Sequence, residues 1–118
     1  MGLRMLCSKA VAPSRKRKRK RKRRKILLMD ARKAHLNPLV AGDVYIDLPE
    51  EAGAAAGMCG KLVHWIYGMR PAPQAWESLY AGKMEGAGFK RGKGSAVMFY
   101  NEGRDISGLV HGDDFVFV

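Results

Sequence analysis

Residues 15–25 read RKRKRKRKRRK, eleven basic side chains in succession. A run of like charges repels itself and offers no apolar surface to bury, so it stays outside any core. That confines folding to the residues on its C-terminal side. The composition changes at Lys25/Ile26, and the chain divides into a disordered basic tail over 1–25 and one small folded domain over 26–118. The location of the charge also sets its meaning. The formal net charge of +11 comes from 22 Lys and Arg against 11 Asp and Glu. Setting the run aside leaves eleven bases facing eleven acids, so the domain itself is balanced. A domain that grips nucleic acid usually spreads its cations over one face. Here the candidates for phosphate contact are Arg15, Lys16, Arg17, Lys18, Arg19, Lys20, Arg21, Lys22, Arg23, Arg24 and Lys25. They would bind by counterion release without reading sequence. The same run would serve equally as a nuclear or nucleolar address, or be a low-complexity extension of no function. The three readings stand level.

The other totals exclude more than they assign. Cys7 and Cys59 lie far apart, with no CxxC spacing and no His at zinc spacing. No stretch approaches the roughly 18 apolar residues of a membrane span. The opening MGLRMLCSKAVAP has too short an apolar run for a secretory signal, and position 6 lacks the Ser or Thr of a myristoylation pattern. The expectation is an intracellular protein with no membrane partner, nuclear if the basic run is an address and otherwise cytoplasmic. Nothing in the residues indicates an oligomeric state.

Along the domain, Ile26-Leu27-Leu28-Met29 before Asp30 reads as a buried strand delivering a carboxylate at its end. Val44–Leu48 alternates and meets Pro49, which predicts a short strand. Glu51–Gly60 is rich in Ala and Gly and reads as a loop; Lys61–Tyr67 reads as strand or short helix. Pro71-Ala72-Pro73 breaks the chain and opens a helix. Ala75, Trp76, Leu79, Tyr80, Lys83, Met84 and Ala87 fall at helical spacing, and Gly86 and Gly88 sit where a C-cap belongs, so the helix spans about 72–86. Strands are predicted over Ala96–Tyr100, Ile106–Val110 and Phe115–Val118, joined by turns at Asn101–Arg104 and His111–Asp114. The fold class is α+β, an antiparallel sheet with one main packed helix.

Asp113 and Asp114 are adjacent acids at a hairpin tip. Turns favour Asp for local hydrogen bonds, so this pair alone carries little. Gly112 before them permits tight backbone geometry. Asp30 adds a third carboxylate at a strand end. If strand 26–30 lies beside strand 106–110, all three meet at one edge. Such a cluster offers the hard oxygen ligands that magnesium prefers. It could hold two ions about 3.5–4 Å apart, the separation used for in-line phosphoryl displacement.

Five segments in order carry a resemblance: Met29-Asp30-Ala31-Arg32-Lys33-Ala34-His35-Leu36-Asn37; Asp43-Val44-Tyr45-Ile46-Asp47-Leu48-Pro49; Gly60-Lys61-Leu62 leading to Ile66-Tyr67-Gly68-Met69-Arg70-Pro71-Ala72-Pro73-Gln74-Ala75-Trp76; Gly88-Phe89-Lys90-Arg91; and His111-Gly112-Asp113-Asp114. Their wording, order and spacing resemble copia-type retrotransposon reverse transcriptases, over essentially all of 26–118. The Tyr-Gly-x-x-x-Ala-Pro-x-Ala-Trp string is the specific part. The resemblance implies a partial polymerase palm and an RNA-directed DNA polymerase reaction on a template-primer with deoxynucleoside triphosphates. It implies that Asp30, Asp113 and Asp114 are the catalytic carboxylates and ligate two Mg2+ ions. It implies that His35 stands at the aromatic position under the sugar, and that Tyr67 and Gly68 border the incoming nucleotide and template. Pro73 would start the palm helix and Trp76 would bury it on the sheet.

There are departures. His111 replaces the family's Tyr, Gly112 a bulky apolar residue, Pro71 a Gln and Gln74 an Arg. The family's fingers precede this segment, and more palm, a thumb and RNase H come after it. A palm portion alone does not hold template, primer and triphosphate together, so the expectation for this chain by itself is inactivity. The alternative is a non-enzymatic retroelement relic whose polybasic tail binds nucleic acid or directs nuclear import. Trp65 and Trp76 are expected in the core, and His64 on a partly exposed face.

Overall fold

The structure is a computed structural model, and it describes residues 23–118. The eight cations from Arg15 to Lys22, and the tail before them, lie outside the described residues. The described chain is α+β, and it divides into two units: the residues up to 32 with 80–118, and residues 33–79.

The first unit is a five-stranded antiparallel sheet. Its strands are β1 (Leu27–Asp30), β4 (Lys90–Arg91), β5 (Met98–Asn101), β6 (Ile106–His111) and β7 (Asp114–Phe117), in spatial order β1-β7-β6-β5-β4. From β4 onward each strand pairs with its sequence neighbour, and β1 closes the far edge against β7. Strand alternation puts apolar residues on both faces of the centre. On one face the Tyr80 ring meets Phe99 and Phe115 edge-on, at centroid distances of 6.2 and 5.7 Å. Gly108 lies on that face too; a Cβ there would stand 2.9 Å from the Phe117 ring and 3.4 Å from the Met84 methyl. The space over Gly108 is thus filled by the Phe117 ring of the neighbouring strand, with the Met84 methyl beside it. On the other face Leu109 and Val118 form a cluster with Val97, Met98 and Val116.

The helix α1 runs Ala72–Gly86, as the periodicity predicts. Ala72, Trp76, Tyr80 and Met84, each four apart, are buried. Pro71 precedes its first residue and Pro73 falls in its first turn, where no intrahelical N–H is required. At the other end the Gly88 N–H donates to the Glu85 carbonyl (2.9 Å) and the Phe89 N–H to the Met84 carbonyl (3.0 Å). This is a Schellman cap, and it needs the left-handed φ of 87° that Gly88 supplies. Buried Asn101 ties that cap to the β5–β6 turn. Its amide donates to the Ala87 carbonyl (3.3 Å), and its side-chain oxygen accepts from the Arg104 N–H (3.0 Å).

The second unit contains β2 (Tyr45–Asp47) paired antiparallel with β3 (Cys59–Lys61). A single bridge joins Leu39 and His64, and two short 3-10 turns cover Ala34–Leu36 and Glu50–Ala52. Trp65 and Trp76 are buried, as expected, and His64 is exposed, its ring Nδ1 3.0 Å from the Asn37 carbonyl.

Four expectations are corrected. Strand 27–30 is exposed along its whole length; an apolar run there reflects an edge position rather than burial. Its neighbour is β7, not strand 106–110, because the two-residue turn after His111 folds 114–117 back into the intervening slot. The strand in the Gly-rich stretch begins at Cys59, inside the predicted loop, because its partner in β2 fixes it; the chain beyond Lys61 is irregular apart from the bridge. The two-residue strand β4 carried no apolar pattern to reveal it. Among the described residues no helix is long and apolar enough to cross a membrane.

Candidate metal centre

Asp30 is the last residue of β1, and Asp114 is the first of β7. The register sets them directly opposite each other, with His111 opposite Asp114 on the other side. Asp113 lies in the turn between β6 and β7. There Gly112 has a φ of 63° and Asp113 does not share the left-handed region. A two-residue hairpin with glycine at its first central position has the type II′ pattern, whose twist matches the flanking strands. The Ala31 N–H donates to the Asp113 carbonyl at 2.7 Å. That bond clamps the turn onto the end of β1 and holds Asp113 beside Asp30.

The outcome is one cluster. Asp30, Asp113 and Asp114 each offer a carboxylate oxygen, and these oxygens lie within 4.8 Å of one another. All three residues are exposed. Strand alternation puts Asp30 and Asp114 on the Leu109–Val116 face, away from Tyr80. Among the described residues no other His, Cys, Asp or Glu joins them. Like charges directly opposite in a ladder are destabilising, and here a third is added. Three hard, anionic oxygens on an open surface suit a hydrated divalent cation such as magnesium, which keeps several waters and takes few carboxylates.

The three predicted nucleotide-contacting residues all belong to the second unit. The rings of His35 and Tyr67 are neighbours, with centroids 5.0 Å apart and planes tilted by 36°. Gly68 has a φ of 86° and sits third in a turn closed by the Met69 N–H to the Ile66 carbonyl (3.3 Å). A glycine is what that turn position calls for.

Of the basic run, Arg23, Arg24 and Lys25 are described. Arg24 is engaged: its guanidinium pairs with the Asp105 carboxylate and reaches the Asp105 carbonyl at 3.3 Å. The same carboxylate accepts the Tyr100 hydroxyl at 3.0 Å. That hydrogen bond holds the Tyr100 phenol above its ordinary range. A little desolvation and the charges of Asp105 and Glu102 add to the effect, and Arg24 opposes it. No motif or spacing marks this anchor in advance. It depends on Asp105 adopting a left-handed φ of 50°, which Asp tolerates better than most residues.

Fold and site together define an α+β chain carrying an exposed three-carboxylate cluster at the ends of paired strands. No family model matches the chain, and neither a curated protein nor a solved structure does.

Proposed function

We propose that residues 26–118 are part of the palm of a copia-type retrotransposon reverse transcriptase, an RNA-directed DNA polymerase. The observation that carries the reading is the meeting of Asp30 with Asp113 and Asp114, more than eighty positions away, within 4.8 Å. The order of the motifs along the chain implies that meeting independently of the fold. The antiparallel sheet with its helix, the glycine-first turn before the acids, and the adjacent His35 and Tyr67 rings also support it.

On this reading Asp30, Asp113 and Asp114 would hold two Mg2+ ions. When bound, those ions would activate the primer's 3′ hydroxyl and offset charge on the transferred phosphate. The chain's own contribution is to fix the acids. The β1–β7 ladder orients Asp30 and Asp114, and the Ala31 clamp orients Asp113. His35 would stack under the sugar, and Tyr67 and Gly68 would border the nucleotide. Imidazole is smaller and more polar than the usual aromatic ring, so exclusion of a 2′ hydroxyl would be weaker. Template, primer and deoxynucleoside triphosphate need more surface than a palm portion offers, so the chain alone is inactive on this reading.

Two measurements test it. Calorimetric titration of the chain with Mg2+ is expected to show binding that Asp113→Asn removes. Joined to the fingers and thumb of a copia-type enzyme, the segment is expected to extend a primer on RNA, with loss of extension in Asp113→Asn. A folded chimera that extends nothing, or that extends equally well with the Asp113→Asn substitution, refutes the reading.

A further inference from the structure

The sheet has two edges, and they differ. The β4 edge is two residues long and carries Lys90 and Arg91. Short, cationic edges discourage pairing with another chain. The β1 edge is four residues, LLMD, preceded by Ile26. Ile26 is 50% exposed and Leu28 71%. Among the described residues nothing pairs with its outer side. An edge that is apolar over Ile26–Met29, with its one acid at the end, is a template for a further strand.

The sequence around it indicates which strand. Arg23-Arg24-Lys25 precedes the apolar four, and Asp30 ends them. Read antiparallel against itself about Leu27, the segment sets Arg24 on Asp30 at both ends, the Lys25 stem on Met29, and Ile26 on Leu28 at the centre. We propose that β1 is the docking edge for a second copy of this chain, pairing antiparallel about a two-fold axis at Leu27 to make one continuous ten-stranded sheet.

The register follows from geometry. Residues directly opposite in an antiparallel pair share a sheet face, so a two-fold axis must set one residue against itself. With Leu27 at the axis, Ile26 faces Leu28 and Arg24 faces Asp30 of the other copy. With Leu28 at the axis, Ile26 would face Asp30 and Arg24 would face Arg32, which sets like on like and leaves no base opposite an acid. The backbone agrees. The Ala31 N–H bonds inward to Asp113. Alternation then turns Met29 and Leu27 inward and leaves the N–H and C=O groups of Ile26, Leu28 and Asp30 pointing out. A Leu27 axis pairs Ile26 with Leu28, both outward. Arg24 spends only part of its five N–H donors on Asp105. The formal charge of +11 on each copy opposes association. The dimer is therefore in concentration-dependent equilibrium. The backbone and apolar part of this pairing uses the outer side of β1 and stands apart from the metal reading; an ion on Asp30 would compete only for its contact with Arg24.

The test uses the full chain with Cys7→Ser and Cys59→Ser, since Cys59 is exposed and free. Residues facing themselves in a non-hydrogen-bonded pair have Cα atoms about 4.5 Å apart, inside the range a disulfide spans. Leu27→Cys is expected to form a disulfide-linked dimer under mild oxidation, several-fold more than Leu28→Cys. In sedimentation the parent is expected to dimerise with rising concentration, and Leu28→Lys to remain monomeric with an unchanged circular dichroism spectrum. If Leu28→Lys loses that spectrum, the cysteine comparison decides. A parent that is monomeric throughout, equal cross-linking at 27 and 28, or a folded Leu28→Lys dimer overturns the proposal.

Discussion

Replacing Asp113 by Asn should stabilise this protein without metal and cost it stability with metal. One carboxylate oxygen from each of the three acids lies within 4.8 Å of the other two. Two unit charges at that distance in a water-like dielectric repel by about 0.9 kcal/mol. A Debye length of about 8 Å at physiological salt leaves about 0.5 kcal/mol. Asp113 faces two such partners, but Asp114 is its chain neighbour and repels it in the unfolded state too, so the gain in folding stability is chiefly the Asp30 share, about 0.5 kcal/mol. Asn is itself a turn residue, and the carbonyl that Ala31 clamps is unaffected. In EDTA the variant's melting temperature should therefore rise by about 3 °C, from about 5 °C per kcal/mol for a domain of this size. Magnesium reverses the order. At ten times its dissociation constant a ligand stabilises the native state by about 1.4 kcal/mol. The parent should gain that increment and the variant little of it. Thermal or urea unfolding of both proteins, with EDTA and with Mg2+ at matched ionic strength, measures all four values. If the variant gains nothing in EDTA, the three charges do not crowd one another as the geometry requires. If Mg2+ stabilises both equally, the ion does not sit on Asp113.

Three further outcomes are expected. Gly108→Ala would drive a methyl to 2.9 Å from the Phe117 ring. The overpacking should cost about 1–3 kcal/mol in urea unfolding, and a variant as stable as the parent would show that the Phe117 ring does not fill the space over Gly108. The raised Tyr100 phenol contributes stability that is present below its unfolded value near 10 and lost as pH rises through the folded value. Tyr100→Phe should accordingly flatten the alkaline limb of the stability profile, and phenolate absorbance should show one fewer late-titrating tyrosine. Deleting residues 15–22 spares the Arg24–Asp105 pair and removes eight cations. If the run is what binds nucleic acid, the slope of log affinity against log salt on duplex DNA should flatten by about 0.9 for each phosphate the tail no longer neutralises; an unchanged slope assigns binding to the folded domain.

How much of this was legible depended on whether a residue's role is local. The helix was, because Trp76, Tyr80 and Met84 repeat at its period and Pro73 and Gly88 mark its ends. The β5–β6–β7 strands were legible from apolar runs separated by turn chemistry. Sheet order was not: the sequence of Ile26–Met29 is as apolar as a central strand, and only pairing makes it an edge. Nor was β4, whose Lys90 and Arg91 are held by register with Tyr100 and Phe99 rather than by propensity. Asn101 read as an ordinary turn residue, yet it is buried and bridges a helix cap to a hairpin across fourteen positions. Long-range hydrogen bonds of that kind leave no periodic trace.

The acid cluster shows the same limit from the other side. Each acid taken alone obeys a bland rule, a strand end or a turn. Together they break one, since a ladder that joins β1 to β7 in this register sets Asp30 squarely against Asp114. Slipping β1 by one residue would relieve the clash but would turn Leu27 and Met29 to the opposite face. β1 is exposed on both faces, so burial holds that register weakly. What holds it is the Ala31–Asp113 bond and the tight Gly112 turn, both beside the acids themselves. The backbone is therefore most specified where the side chains are least compatible. Local conflicts of this kind concentrate where a site needs them, and a bound cation is the simplest thing that would remove this one.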